Sequence, residues 1–282
     1  MVIHTPTLQL LRASILVALS GVFRIYIASL FLGIAPSRWI YLAGFLVIYA
    51  TYTLDRALGC EEDKINKKEL ASARKDIALI LCLISLATGS FLFFRENLLL
   101  VAFLPFIIGY IYSKGIHIGC ISLKLKGNFG VKNLTVSLTW GAFISGVVQH
   151  WAGVQTSLLF IFPFFAVKSF INTVIYDFRD VKGDAAAGIK TLPICLGDRK
   201  TRLLLQAMHN ILHLWIVISM LMSFIKVEAA LLMTLWLAGM VYTYSYTRPS
   251  PENEPKIRKI MRDLFVDGEF ILAVSIKAVT GF

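Results

Sequence analysis

The sequence predicts an all-α, polytopic membrane protein of about nine transmembrane helices, and three observations carry that prediction. Hydrophobic residues make up 57% of the 282 residues and charged residues only 16%, with a mean hydropathy of +0.72. A soluble domain carries about 25% charged and about 45–50% apolar residues. The apolar residues are gathered in long blocks parted by short charged stretches. The blocks lack the alternation over roughly ten residues that a membrane β-barrel would show.

The blocks lie near 10–34, 38–58, 76–94, 97–113, 133–150, 154–178, 202–224, 228–247 and 262–280. Each approaches the roughly 20 residues that a helix needs to cross the hydrocarbon core. The first holds Arg24 and is followed by no small-residue cleavage site, so it reads as a span and not as a removable leader. The second ends at Asp55, and the third and fourth are separated only by a break at Phe94–Asn97. The fifth opens on Lys132 and Asn133, and the sixth ends at Asp177. His209 and His213 share a face of the seventh at i, i+4, a spacing that suits a metal, but with no third ligand a packed role is expected. The ninth carries Asp267-Gly268-Glu269 within apolar sequence. No linker divides the blocks, so residues 1–282 are read as one domain.

The formal charge of +11 is concentrated in 60–76, 112–132, 179–202 and 247–262, whereas the opposite connections hold only Arg38, Arg95 and Lys226. By the positive-inside rule the basic loops, and with them the N-terminus, face the cytoplasm of a multi-pass cell-membrane protein. The charge is spent on topology and phosphate chemistry, so no nucleic-acid partner is expected, and no obligate protein partner is inferred. The four cysteines are far apart with no CxxC spacing, which argues against a disulfide framework or a zinc site.

The chemistry is carried by two acidic clusters at the same membrane edge. Asp177, Asp180 and Asp184 stand three and four residues apart, so one helix face holds all three. Like charges so placed call for a cation, and an oxygen-only set suits Mg2+, an ion commonly shared with substrate phosphates. Asp55, Glu61, Glu62 and Asp63 end the second block in the same way. Tyr52-Thr-Leu-Asp55-Arg56 is echoed by Tyr176-Asp-Phe-Arg179-Asp180, and internal pseudo-symmetry would set the two clusters across a central cavity.

The string Arg179-Asp180-x-x-Gly183-Asp184-x-x-x-Gly188-x-x-Thr191-Leu192-Pro193 resembles the second aspartate-rich motif of the UbiA superfamily of intramembrane prenyltransferases. The resemblance extends over nearly the whole chain, in the number of spans and the positions of both motifs. The first motif departs from the family's Asn-Asp-x-x-Asp-x-x-x-Asp. Asp55 takes the asparagine position, Arg56 the first aspartate and Gly59 the middle one, with Glu62 one turn on. The family's Arg-Pro after this motif is replaced by Ala71-Ser-Ala-Arg74-Lys75.

The resemblance implies Mg2+-dependent transfer of a prenyl group from a polyprenyl diphosphate to a lipid-soluble acceptor. It implies a metal set of Asp55, Glu62, Asp63, Asp177, Asp180 and Asp184, the last three being catalytic. Lys114, Lys126, Lys132, Arg179 and Lys190 are the expected diphosphate contacts, although positive-inside topology accounts for about half of such residues. Tyr112, Asn133, Lys168, Asn172 and Tyr176 are the expected cavity lining, with snorkelling as the alternative for Lys168. The acceptor is expected to be an aromatic quinone precursor or similar, or else a glycerol-phosphate ether lipid. Two rival readings are a non-catalytic family member and an ion-coupled transporter. Transporter sites tend to lie near the bilayer midplane on broken helices, and these carboxylates lie at helix ends.

Overall fold

The computed structural model describes residues 6–58, 72–118, 121–123, 130–186, 188–248 and 255–280. Among these, ten helices run in order: α1 (Pro6–Leu32), α2 (Arg38–Leu58), α3 (Lys75–Arg95), α4 (Leu99–Lys114), α5 (Val131–Ala152), α6 (Val154–Ala186), α7 (Leu192–Leu221), α8 (Ala229–Tyr246), α9 (Lys256–Val266) and α10 (Glu269–Thr280). A short antiparallel hairpin, β1 (Ile116–Ile118) with β2 (Ile121–Leu123), pairs Ile116 with Leu123 beyond the end of α4. The first eight blocks each have a helical counterpart. Four helices, α1, α3, α6 and α7, are both long and apolar enough to cross a membrane. Apart from that hairpin the described residues that form regular structure are helical, as in a multi-pass membrane protein; length and composition identify four candidate spans among them, and the count of nine is not confirmed.

The ninth block needs correcting. It is two helices, of 11 and 12 residues, parted at Asp267 and Gly268. At 1.5 Å per residue each is about 17–18 Å long, well short of the roughly 30 Å hydrocarbon core. The Asp-Gly pair is the local signal for the break, because a side chain at position 268 would collide with the carbonyl of Leu264.

Helix ends are set by local chemistry. α6 stops in a Schellman motif: Gly188 sits at φ 70°, Ile189 N–H donates to the Asp184 carbonyl at 2.8 Å, and Gly188 N–H to that of Ala185 at 3.1 Å. Asn97 (φ 59°) ends α3 and Ser223 (φ 61°) ends α7 with the same pair of bonds. Helix packing relies on small residues, as expected where lipid supplies no hydrophobic drive between helices. A Cβ at Gly141 on α5 would come within 2.8 Å of the Phe162 carbonyl on α6, and one at Gly89 on α3 within 3.2 Å of the Ala43 carbonyl on α2. The main apolar core gathers Phe31, Phe93, Phe143, Phe164 and Phe165 from α1, α3, α5 and α6.

Candidate functional site

One helix positions most of the site. α6 has 33 residues and is about 50 Å long, well over the hydrocarbon thickness. Its polar last turns therefore project past the apolar layer, and they bear Asp177, Asp180 and Asp184. Asp177 and Asp184, two turns apart and each 1% exposed, converge on a single cation. Lys132 Nζ, from the first turn of α5, lies 3.0 Å from Asp177 Oδ1 and 3.0 Å from Asp184 Oδ2. Asn133 Nδ2 donates to Asp177 Oδ2 at 2.8 Å, which fixes the carboxylate's orientation. Its other atom, Asn133 Oδ1, is buried and makes no hydrogen bond.

Asp180 takes a different partner. The Arg179 guanidinium donates to it through Nε and Nη2, both at 2.7 Å, and stacks over the Tyr176 ring at 4.8 Å. The Tyr176 hydroxyl donates to Asp267 at 2.7 Å, so the break between α9 and α10 joins the site through this phenol. On the facing side, Asp55 at the end of α2 accepts from Ser113 Oγ on α4 at 2.6 Å. Tyr112, next to Ser113, lies within electrostatic range of Lys132, so the α2–α4 and α5–α6 pairs meet at one end of the bundle.

Lys114 and Lys190 are exposed near the same end. Glu62, Asp63 and Lys126 lie outside the described residues. Arg56, at the position of the family's first aspartate, donates to Ser14 Oγ at 3.3 Å and to the Ala13 carbonyl at 3.4 Å, stapling α2 to α1. Among the described residues no three His, Cys, Asp or Glu side chains come close enough together to hold a metal ion by themselves. The chemistry of the Asp177–Asp184 pair nevertheless fits a hard cation: two buried carboxylates already share one positive charge, and a spare amide oxygen sits beside them.

Deeper along α6, Lys168 is fully buried and paired with Glu269 at the start of α10, which also accepts from the Tyr242 hydroxyl at 3.1 Å. Snorkelling is thereby replaced by a closed ion pair. Asn172 Nδ2 donates to the Val266 carbonyl at 3.0 Å. His209 and His213 are buried with rings 4.2 Å apart, and each engages a backbone carbonyl, the packed role expected of them. Sequence reasoning did not place Arg24 or Trp140 in any site. The available signal was the arginine inside an apolar block, because a membrane-embedded charge needs a reason.

The sequence model of the UbiA prenyltransferase family matches residues 10–266. The chain belongs to the UbiA prenyltransferase family. It is 33% identical over 101 residues to a digeranylgeranylglyceryl phosphate synthase of Methanopyrus kandleri, covering 36% of this chain and 33% of that one. It is 30% identical over 165 residues to the Sulfurisphaera tokodaii protein of the same name, covering 53% of this chain and 54% of that one. The matches thus span only about a third to a half of these relatives' lengths. A solved UbiA homologue from Archaeoglobus fulgidus, bound to GPP and Mg2+, superposes with a TM-score of 0.59 at 17% identity, over 96% of this chain and 99% of that one. At that identity the likeness establishes the family's fold.

Proposed function

We propose that this protein is a Mg2+-dependent intramembrane prenyltransferase, working as a single domain on a prenyl diphosphate and a membrane-borne acceptor. The observation that carries the reading is the convergence of buried Asp177 and Asp184 on Lys132, at the end of the bundle where Asp55 also lies. In this reading Asp177, Asp180 and Asp184 work with Asp55, Glu62 and Asp63 as the oxygen ligands, and the basic loops keep this end cytoplasmic. Magnesium, when bound, supplies positive charge that makes the diphosphate a better leaving group.

The chain's own residues do the rest. Asn133 holds Asp177 in its orientation. Lys132, 17% exposed and already facing two oxygens, donates to diphosphate oxygens as negative charge grows on the leaving group. Lys114, Lys126, Arg179 and Lys190 add charge around the same anion, and Arg179 contributes a planar fork. Tyr112 and Tyr176 line the approach. The allylic carbon–oxygen bond breaks with its electron pair passing to the diphosphate, and the acceptor's nucleophilic atom, an alcohol oxygen or an aromatic ring carbon, bonds to that carbon and loses its proton.

The names of the two relatives at 30–33% identity favour a glycerol-phosphate ether lipid over an aromatic quinone precursor as acceptor. The test is turnover by purified protein with labelled polyprenyl diphosphate, Mg2+ and both acceptor types. The expected result is Mg2+-dependent diphosphate release with a labelled ether lipid, lowered about 10²–10³-fold in Asp184→Ala. Tight diphosphate binding without turnover would instead identify a non-catalytic member, and ion-coupled uptake into vesicles a transporter.

A further inference from the structure

The short helix α9 is composed differently from the spans around it. Its eleven residues carry four cations, Lys256, Arg258, Lys259 and Arg262, against one carboxylate, Asp263. Its apolar residues recur at Ile257, Ile260, Met261, Leu264 and Phe265, the i, i+3, i+4, i+7, i+8 spacing of a single helix face. That face points away from the bundle, with exposure running from 36% at Phe265 to 60% at Ile257 and Ile260. The inward side carries buried Arg262 and Val266 instead. Five large apolar side chains turned outward on a charged helix call for a cover.

The level at which α9 sits decides what that cover is. The Tyr176 hydroxyl, one residue before Asp177, lies 3.5 Å from Asp263 Oδ1 and 2.7 Å from Asp267 Oδ2. α9 therefore lies level with the Asp177–Asp184 cluster, where α6 leaves the apolar layer. The chain turns inward only after Gly268, because Glu269 at the start of α10 pairs with Lys168, about 13 Å deeper along α6. A short, basic, strongly amphipathic helix at that level lies in the membrane interface, apolar face down among the acyl chains and cations among the headgroups. At 100° per residue, Lys256 and Lys259 follow the Ile260 edge of the apolar face. Both are exposed, and neither has a carboxylate partner among the described residues. On the opposite edge Arg258 lies over the Tyr246 ring at the end of α8, its Cζ 5.8 Å from the centroid.

We infer that α9 is an interfacial helix whose Lys256–Lys259 edge binds the phosphate headgroups of anionic lipids. The occupant of its apolar face is lipid, and the excess of cations selects lipids of net negative charge. The test uses full-length protein carrying photoreactive p-benzoylphenylalanine at position 260, in nanodiscs of equimolar phosphatidylcholine and phosphatidylglycerol. Mass spectrometry of the photoadducts names the occupant. The adducts should be lipid, with phosphatidylglycerol enriched about fivefold for each lysine that reaches a headgroup. Lys256→Gln/Lys259→Gln should bring the two lipids to equal yield while total lipid adducts hold steady. Lys256→Arg/Lys259→Arg should keep the enrichment, since it preserves the charge. Equal yields of both lipids in the otherwise unaltered chain, or enrichment that survives the double glutamine variant, would overturn the headgroup site. Adducts mainly to protein would overturn the lipid assignment altogether and give the face to a partner chain.

Discussion

Two polar clusters share α6, and they are built on opposite plans. At the projecting end, Asp177 and Asp184 share Lys132, which remains 17% exposed, and Asn133 keeps an unbonded oxygen. About 13 Å deeper, Lys168 and Glu269 are both fully buried, and Tyr242 closes the remaining oxygen. The outer cluster offers charge to something that arrives. The inner one satisfies itself and ties α6, α8 and α10 together. Similar chemistry, a lysine beside carboxylate, is thus left reachable at Lys132 and closed off at Lys168.

The contrast breaks most sharply at the inner pair. Glu269→Ala leaves Lys168 buried and unpaired, and thermal unfolding in detergent should show a loss of about 3–5 kcal/mol. The double variant Lys168→Met/Glu269→Leu should recover most of that stability, because well-packed apolar residues replace such pairs at little cost. At the outer cluster Asp184→Ala should leave unfolding nearly unchanged while turnover falls about 10²–10³-fold, the usual effect of removing a group that stabilises transition-state charge. If it unfolded the protein as Glu269→Ala does, the two clusters would be alike and the contrast would be wrong. Lys132→Gln should act more mildly, raising the Kd for prenyl diphosphate about tenfold, in keeping with about 1.5 kcal/mol for one hydrogen bond to a charged group.

The smallest expected effect lies at the joint after the outer cluster. Gly188 adopts φ 70°, and a Cβ there would meet nothing within 4 Å. Gly188→Ala should therefore cost only the left-handed backbone penalty, about 1–2 kcal/mol, visible as a lower unfolding midpoint.

What the sequence made legible follows from which interactions are local. Eight apolar blocks became helices because length and composition act within a segment. Asp177 and Asp184 fell on one face because helical periodicity is fixed. The α9–α10 break was missed although Asp267-Gly268 marks it, since the clash that demands glycine involves a carbonyl one turn away. Partners distant in sequence were not readable at all. Lys168 and Glu269 are 101 residues apart, and Arg24 and Ser169 are 145 apart. Asp180 looked equivalent to its two neighbours on the wheel, but adjacent Arg179 claims it with two bonds.

The central claim is that the outer cluster is a joint metal and diphosphate site. Its most direct test is the Kd of a labelled prenyl diphosphate, measured with and without Mg2+, for wild-type protein and Asp184→Ala. Mg2+ should tighten binding at least tenfold in the wild type and leave the variant unmoved. Equal affinities with and without Mg2+, or the same Mg2+ response in both proteins, would contradict it.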